Sequence, residues 1–142
     1  MSTTSAPPHI QSLSVMKERA ERVAAEAKHL ADALCVEYTR QLLQNAFPRH
    51  ARAVFTRDFD EEEPTLTRLL SADDEVATLD LSNQGEDYHT LTNELKTVVN
   101  EAEQQITRIG SDIDMFEHLD PGEVERDDGI DFILDLTAGA TA

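Results

Sequence analysis

Apolar residues recur every three or four positions through the first third of the chain. The recurring positions are Leu13, Met16, Ala20, Val23, Ala27, Leu30, Leu34, Tyr38 and Leu42. This spacing places the side chains on one face of an α-helix, and no Gly or Pro interrupts it before Pro48. The pattern predicts a helix from about Ser12 to Phe47, roughly 50 Å long at 1.5 Å per residue.

The apolar face of this helix has two interpretations. It is the face that packs on the core of the same chain, or it is the seam of a coiled coil with a second helix. Several of its positions hold Ala, Met or Tyr instead of Leu, Ile or Val. The pattern therefore supports packing on the core of the same chain at least as well as it supports a coiled coil. In a homo-oligomer, the contacts would be made by Leu13, Met16, Val23, Leu30, Leu34 and Leu42.

Beyond the helix, the period of the pattern changes to that of a strand. Residues 51–59 alternate in part and put Ala53 and Phe55 on one side. An acidic turn follows at residues 60–64, and residues 65–70 then alternate again. Two alternating segments joined by a short turn predict a β-hairpin.

The second strand of this hairpin has a helical alternative. Pro64 is a residue favoured at the first position of a helix, and such a helix would run through Leu70. Threonines on both sides of Leu66 favour the strand instead. We expect a strand in which Leu66 and Leu70 share a face.

The rest of the chain predicts another strand, two helices and a last strand. The elements are a turn at Asp73-Asp74, a strand at 76–81, a helix at 86–109 ended by Gly110, a short helix at 112–119 and a strand at 129–136. In the last strand every second residue from Ile130 to Leu136 is apolar. We expect that face to be buried, and the face with Asp131 and Asp135 to meet water.

The order α-β-β-β-α-β predicts an α+β fold. In it, a small antiparallel sheet, made of a hairpin or meander and a C-terminal strand, is covered by the long N-terminal helix and a second helix. We expect a flexible N-terminal arm at residues 1–10, a single domain at 11–137 and a frayed tail at 138–142.

Composition predicts where in the cell this domain resides. The 142 residues are 39% hydrophobic, which suffices for a core, and one cysteine cannot form an internal disulfide. The first residues have no basic segment followed by an apolar one, and no stretch of the chain is apolar enough to span a membrane. We therefore expect a cytoplasmic protein without membrane contact.

Charge is distributed unevenly along the sequence. The net charge is −17, of which residues 1–57 contribute +3 and residues 58–142 contribute −20. A field of this sign repels nucleic acid and anionic membranes and attracts a basic protein. Direct binding of nucleic acid is therefore not expected.

Motifs for catalysis and for cofactors are missing from the sequence. The five glycines do not form a phosphate-binding loop, a single thiol cannot build a zinc–cysteine site, and the five histidines are scattered. Asp58-x-Asp60 and Asp112-x-Asp114 resemble the start of a calcium-binding loop, but Glu63 and Glu117 stand where that loop needs glycine. We predict no catalytic residue, no resident metal and no cofactor.

These observations favour a non-enzymatic binding module that docks a basic partner through its acidic face, as inhibitor, immunity and adaptor proteins do. The predicted partner-binding residues are Asp58, Asp60, Glu61, Glu62, Glu63, Asp112, Asp114, Asp127 and Asp128. One alternative is a DNA mimic that occupies a nucleic-acid-binding groove. Another is an assembly subunit that self-associates through the long helix, and an enzyme with carboxylates beside His89 or His118 is a third.

Overall fold

The computed structural model describes residues 7–71, 78–82, 86–122 and 127–137. Its elements in chain order are α1 (Pro8–Ala46), β1 (Arg52–Asp58), β2 (Thr65–Leu70), β3 (Leu79–Asp80), α2 (Glu86–Thr90), α3 (Asn93–Thr107), α4 (Asp112–Phe116), β4 (Asp120–Pro121) and β5 (Gly129–Asp135). A long N-terminal helix, an antiparallel sheet and further helices confirm the predicted α+β fold.

The sheet has the strand order β3-β2-β1-β5-β4, with β1 in the middle. β1 pairs antiparallel with β2 over the predicted hairpin and with β5 along its whole length, from Arg52 opposite Asp135 to Asp58 opposite Gly129. The segment after Pro64 is therefore a strand and not a helix. β4, which the sequence did not predict, pairs with β5 at the edge of the sheet.

A β-bulge changes which leucines of β2 face the core. Phe55 pairs with Leu66, but the preceding residue of β1 pairs with Arg68, so Thr67 is the extra residue. The bulge lets Leu66 and Leu69 lie on the same face, and both are fully buried. The prediction that Leu66 shares its face with Leu70 was therefore wrong.

The chain divides into two units, residues 1–31 and residues 32–142. Of the first unit the structure describes residues 7–31, of which 8–31 form the N-terminal part of α1, and their side chains are exposed to solvent. α1 begins four residues before the predicted Ser12. Residues 1–6 of the predicted arm and residues 138–142 of the predicted tail lie outside the described residues.

The second unit contains the hydrophobic core, which lies between one face of the sheet and the helices. Its large side chains that are fully buried include Phe55, Phe132, Leu43, Leu66, Leu69, Ile106, Ile109, Met115 and Leu134. α1 contributes Val36 and Leu43 to this core, whereas Leu34 and Tyr38 of the predicted apolar stripe are exposed. Two residues correspond to a rotation of about 200° around a helix, so the buried face of α1 lies opposite the predicted one.

The predicted helix at 86–109 is two helices. α2 ends at Thr90, and α3 begins after Thr92, whose side chain accepts a hydrogen bond from the backbone N–H of Leu95 (3.2 Å). A threonine in this role begins a helix by satisfying an N–H that has no partner within it. The predicted turn at Asp73-Asp74 lies outside the described residues.

The face of the sheet that carries Asp131 is less exposed to solvent than the alternation along β5 predicted. Asp131 and Ile133 of β5 are buried, together with Val54 and Thr56 of the neighbouring β1. Asp131 Oδ1 accepts a hydrogen bond from Thr56 Oγ1 (2.7 Å), which satisfies the carboxylate away from water. The expectation that this face of β5 meets water was wrong for Asp131, whereas Asp135 is half-buried.

Candidate functional site

A groove of about 830 Å³ lies between the β1–β2 turn and α3, within the second unit. Its walls come from three places: the turn and first residue of β2, Leu81 after β3 together with Tyr88 of α2, and one face of α3. The lining residues are Glu61, Glu62, Glu63, Pro64, Thr65, Leu81, Tyr88, Val99, Asn100, Glu103, Gln104 and Thr107. We call it the acidic groove.

The turn that forms one wall is held by its own backbone and by Arg57. The N–H of Glu61 donates to the carbonyl of Asp58 (2.9 Å), and Pro64 at the end of the turn is buried. Arg57 donates from its guanidinium to the carbonyl of Glu61 (3.2 Å). The side chains of Glu61, Glu62 and Glu63 remain exposed on this fixed backbone.

Arg57 also joins the turn to α4. Its Nε donates to Asp112 Oδ1 (2.9 Å), and its Nη2 contacts the other carboxylate oxygen of the same residue. Such a two-point contact between guanidinium and carboxylate fixes both side chains in direction. Because the Asp112 carboxylate is held by a base of the same chain, it is less available to a partner than the glutamates of the turn.

Glu103 supplies the carboxylate of the opposite wall. It lies on α3, and its Oε2 accepts a hydrogen bond from the backbone N–H of Leu66 at the start of β2 (2.8 Å). Burial raises the pKa of the Glu103 carboxyl above its ordinary value, while the Leu66 N–H acts in the opposite direction. A cation placed in the groove would favour the ionised form of this group.

Leu81, Val99 and Tyr88 supply the apolar part of the groove lining. Leu81 and Val99 are buried there, and the ring of Tyr88 lies at its side. Lys96 Nζ stands 5.4 Å from the centre of the Tyr88 ring, a cation–π distance. A lining that combines apolar groups with carboxylates suits a side chain with an aliphatic stem and a charged end.

The electrostatic character of the groove is one-sided. Among the described residues that line it, four are glutamates and none is Lys or Arg. The other polar donors and acceptors are amides, hydroxyls and backbone groups. This set of groups can bind ammonium or guanidinium ions, which need oxygen acceptors and a negative field.

The structure places the predicted partner-binding residues in two settings. Glu61, Glu62 and Glu63 line the groove, and Asp60 is exposed on the same turn. The others lie near the same end of the sheet or on α4: Asp58 at the end of β1 opposite Gly129, Asp127 and Asp128 just before β5, and Asp112 and Asp114 on α4. The backbone N–H of Phe59 donates to the carbonyl of Asp128 (2.9 Å) and so joins these two segments.

Sequence reasoning missed the α3 wall. Asn100, Glu103, Gln104 and Thr107 follow one another at helical spacing beside the buried Val99 and Ile106. A glutamate at the border of an apolar stripe is a weak signal, because long side chains in that position usually extend to water. Only the contact between α3 and β2 in the folded protein shows that Glu103 accepts a hydrogen bond from the hairpin.

Comparison of the chain with protein-family models, curated proteins and solved structures gave no match. In the described ranges, no helix combines the length and the apolar character that crossing a membrane requires.

Proposed function

We propose that this protein is a non-enzymatic binding module whose acidic groove receives basic side chains of a protein partner. The observation that carries the proposal is the composition of the groove, with glutamates from the turn and from α3, apolar groups beside them and, among the described lining residues, no Lys or Arg. Lysine and arginine match this arrangement because each joins an apolar stem to a cationic end.

The net charge supports capture of such a partner. At −17, with −20 in residues 58–142, the chain attracts a basic protein from a distance and raises the rate of encounter. The groove then supplies what a diffuse field lacks, namely fixed acceptors and an apolar contact. Charge therefore controls the association rate, and the fit of the groove controls dissociation.

The experiment compares two variants that carry the same change in net charge. The turn variant contains Asp60→Asn, Glu61→Gln, Glu62→Gln and Glu63→Gln. The control variant removes four carboxylates outside the groove: Glu94→Gln, Glu101→Gln, Glu117→Gln and Asp120→Asn. The probe is a short fluorescent peptide of Arg, Lys and Leu, and its uncharged counterpart has citrulline and norleucine at the basic positions.

Stopped-flow association at low and at moderate salt gives the result. We expect the turn variant to associate about tenfold more slowly at low salt and to lose much of its salt dependence. The control variant should change much less, and the uncharged peptide should not bind. Equal effects of the two variants would show that net charge alone acts and would remove the groove from the proposal.

A further inference from the structure

The N-terminal part of α1 carries an exposed apolar stripe that the acidic groove does not use. The stripe consists of Leu13, Met16, Ala20, Val23, Ala27 and Leu30, all in the first unit. Leu13 is 61% exposed, and Val23 and Leu30 are each 60% exposed. Scattered apolar residues on a surface are ordinary, but a contiguous row of them is typical of an interface.

The steps along this stripe alternate strictly between three and four residues. That is the spacing of the two core positions in a coiled-coil heptad. A groove of about 500 Å³ lies in the middle of the stripe, lined by Met16, Arg19, Ala20, Val23, Ala24 and Ala27. Its three alanines leave room for the side chains of another helix.

The stripe is complementary to itself when the second helix runs antiparallel. Leu13 then lies opposite Leu30 of the second copy, Met16 opposite Ala27, and Ala20 opposite Val23. In the two inner layers an alanine meets a larger side chain, which fills the space between the helices. A parallel pairing would set Ala20 and Ala27 against their own copies and leave voids there.

The charges beside the stripe favour the same arrangement. In this antiparallel register, Arg19 of each copy flanks Glu26 of the other, which gives two ion pairs related by the two-fold axis. A register shifted by one heptad would bring Glu26 against Glu26 of the second copy. The two-fold axis passes between Glu21 and Arg22, at the middle of the alanine-lined groove.

We infer that the occupant of this surface is a second copy of the same chain, bound as a two-fold symmetric antiparallel helix pair through residues 13–30. The inference is independent of the acidic groove, since it uses another unit of the chain and another kind of contact. It adds self-association to the binding of a basic partner.

Sedimentation equilibrium of the full chain over a range of concentrations tests the pairing. The wild-type protein should sediment at twice the mass of the single chain. Val23→Glu places two carboxylates beside the two-fold axis and should raise the dissociation constant at least about a hundredfold. The matched control, Ala25→Glu, puts the same side chain on the opposite face of the helix and should leave the dimer intact.

A charge exchange tests the orientation and the register. Arg19→Glu and Glu26→Arg should each weaken the dimer about tenfold, because each replaces two attractions with two repulsions. The double variant should restore the wild-type dissociation constant. Circular dichroism checks that each variant keeps its helix, so that lost dimer is not lost fold.

Three results would overturn the inference. They are a wild-type monomer at every concentration, a dimer that tolerates Val23→Glu in a helical protein, and a double charge exchange that fails to restore the dimer.

Discussion

Glu103 lies where α3 contacts the start of β2, and two features of its surroundings act in opposite directions on the pKa of its carboxyl group. Burial raises its pKa, and the hydrogen bond from the Leu66 N–H partly offsets that effect. The same residue therefore links the stability of the fold to the charge of the groove. Its ionised form is the one that attracts a cation.

The raised pKa of Glu103 predicts a pH-dependent gain from Glu103→Gln. Between the ordinary pKa of the unfolded chain and the raised pKa of the folded one, the folded state binds more protons. Wild-type protein consequently loses stability as pH rises through that window, whereas the glutamine variant does not. We expect Glu103→Gln to raise the free energy of unfolding at neutral pH and to have little such advantage at acid pH, measured by urea denaturation.

Two comparisons separate this effect from other causes. Glu103→Ala removes the acceptor of the Leu66 N–H and should destabilise the fold by about 1 kcal/mol at acid pH. The cost should be smaller at neutral pH, because the variant also removes the buried charge there. Glu94→Gln removes the same charge from an exposed position of α3. If Glu94→Gln gave the same pH dependence as Glu103→Gln, the general charge of the molecule and not the burial of Glu103 would be the cause.

At the residue scale, the sequence predicted the exposed carboxylates better than the buried ones. Glu61, Glu62 and Glu63 follow one another in a turn, and a turn exposes its side chains whatever the rest of the fold is. Asp131 reads from the alternation as a solvent-facing residue, yet a hydrogen bond from Thr56 accompanies its burial. Burial of that kind depends on strand neighbours that are distant in sequence.

At the scale of elements, Arg57 connects β1, the turn and α4. Its guanidinium reaches the Asp112 carboxylate and the carbonyl of Glu61, and its side chain is only 17% exposed. These contacts hold the wall of the groove against the end of the sheet. Arg57 therefore has a structural role. The sequence does not distinguish it from the seven other bases in the first 57 residues.

Replacement of Arg57 should loosen this junction. Arg57→Ala leaves Asp112 without its guanidinium partner and should lower the free energy of unfolding by about 1–2 kcal/mol. Arg57→Lys keeps the charge but not the two-point contact, so its free energy of unfolding should lie between those of the wild type and of Arg57→Ala. The control, Arg49→Ala, removes a base from an exposed position, so a similar loss there would contradict the assigned role of Arg57.

The periodicity of apolar residues predicted the helices and strands themselves, but not where they begin or how they pack together. The spacing of apolar residues predicted α1, the hairpin and β5. It did not predict that Thr92 begins a new helix, that Thr67 forms a bulge or that α1 buries the face of Val36 and Leu43. The bulge and the buried face of α1 depend on pairing or packing with segments that are distant in sequence. The hydrogen bond from the Leu95 N–H to Thr92 is local, but the spacing of apolar residues does not reveal it.

At the scale of the whole molecule, charge and apolar surface are allotted to different parts of the chain. Residues 1–31, the first unit, carry a net charge of +1 beside the exposed stripe, and residues 32–142, the second unit, carry −18 and contain the acidic groove. Counting charges along the sequence predicted the uneven charge but not the exposure of the stripe. The groove could not be predicted in the same way, since its walls come from segments up to 46 residues apart, from Glu61 to Thr107.

The most direct test of the central claim is a nuclear magnetic resonance titration of the full chain with the Arg, Lys and Leu peptide. We predict amide shift changes concentrated in residues 61–63 and 65, at Tyr88 and along 99–107, with little change for the citrulline and norleucine peptide. The carboxylate signal of Glu103 should also move as the bound cation favours its ionised form. Shift changes spread evenly over acidic segments outside the groove would contradict the account.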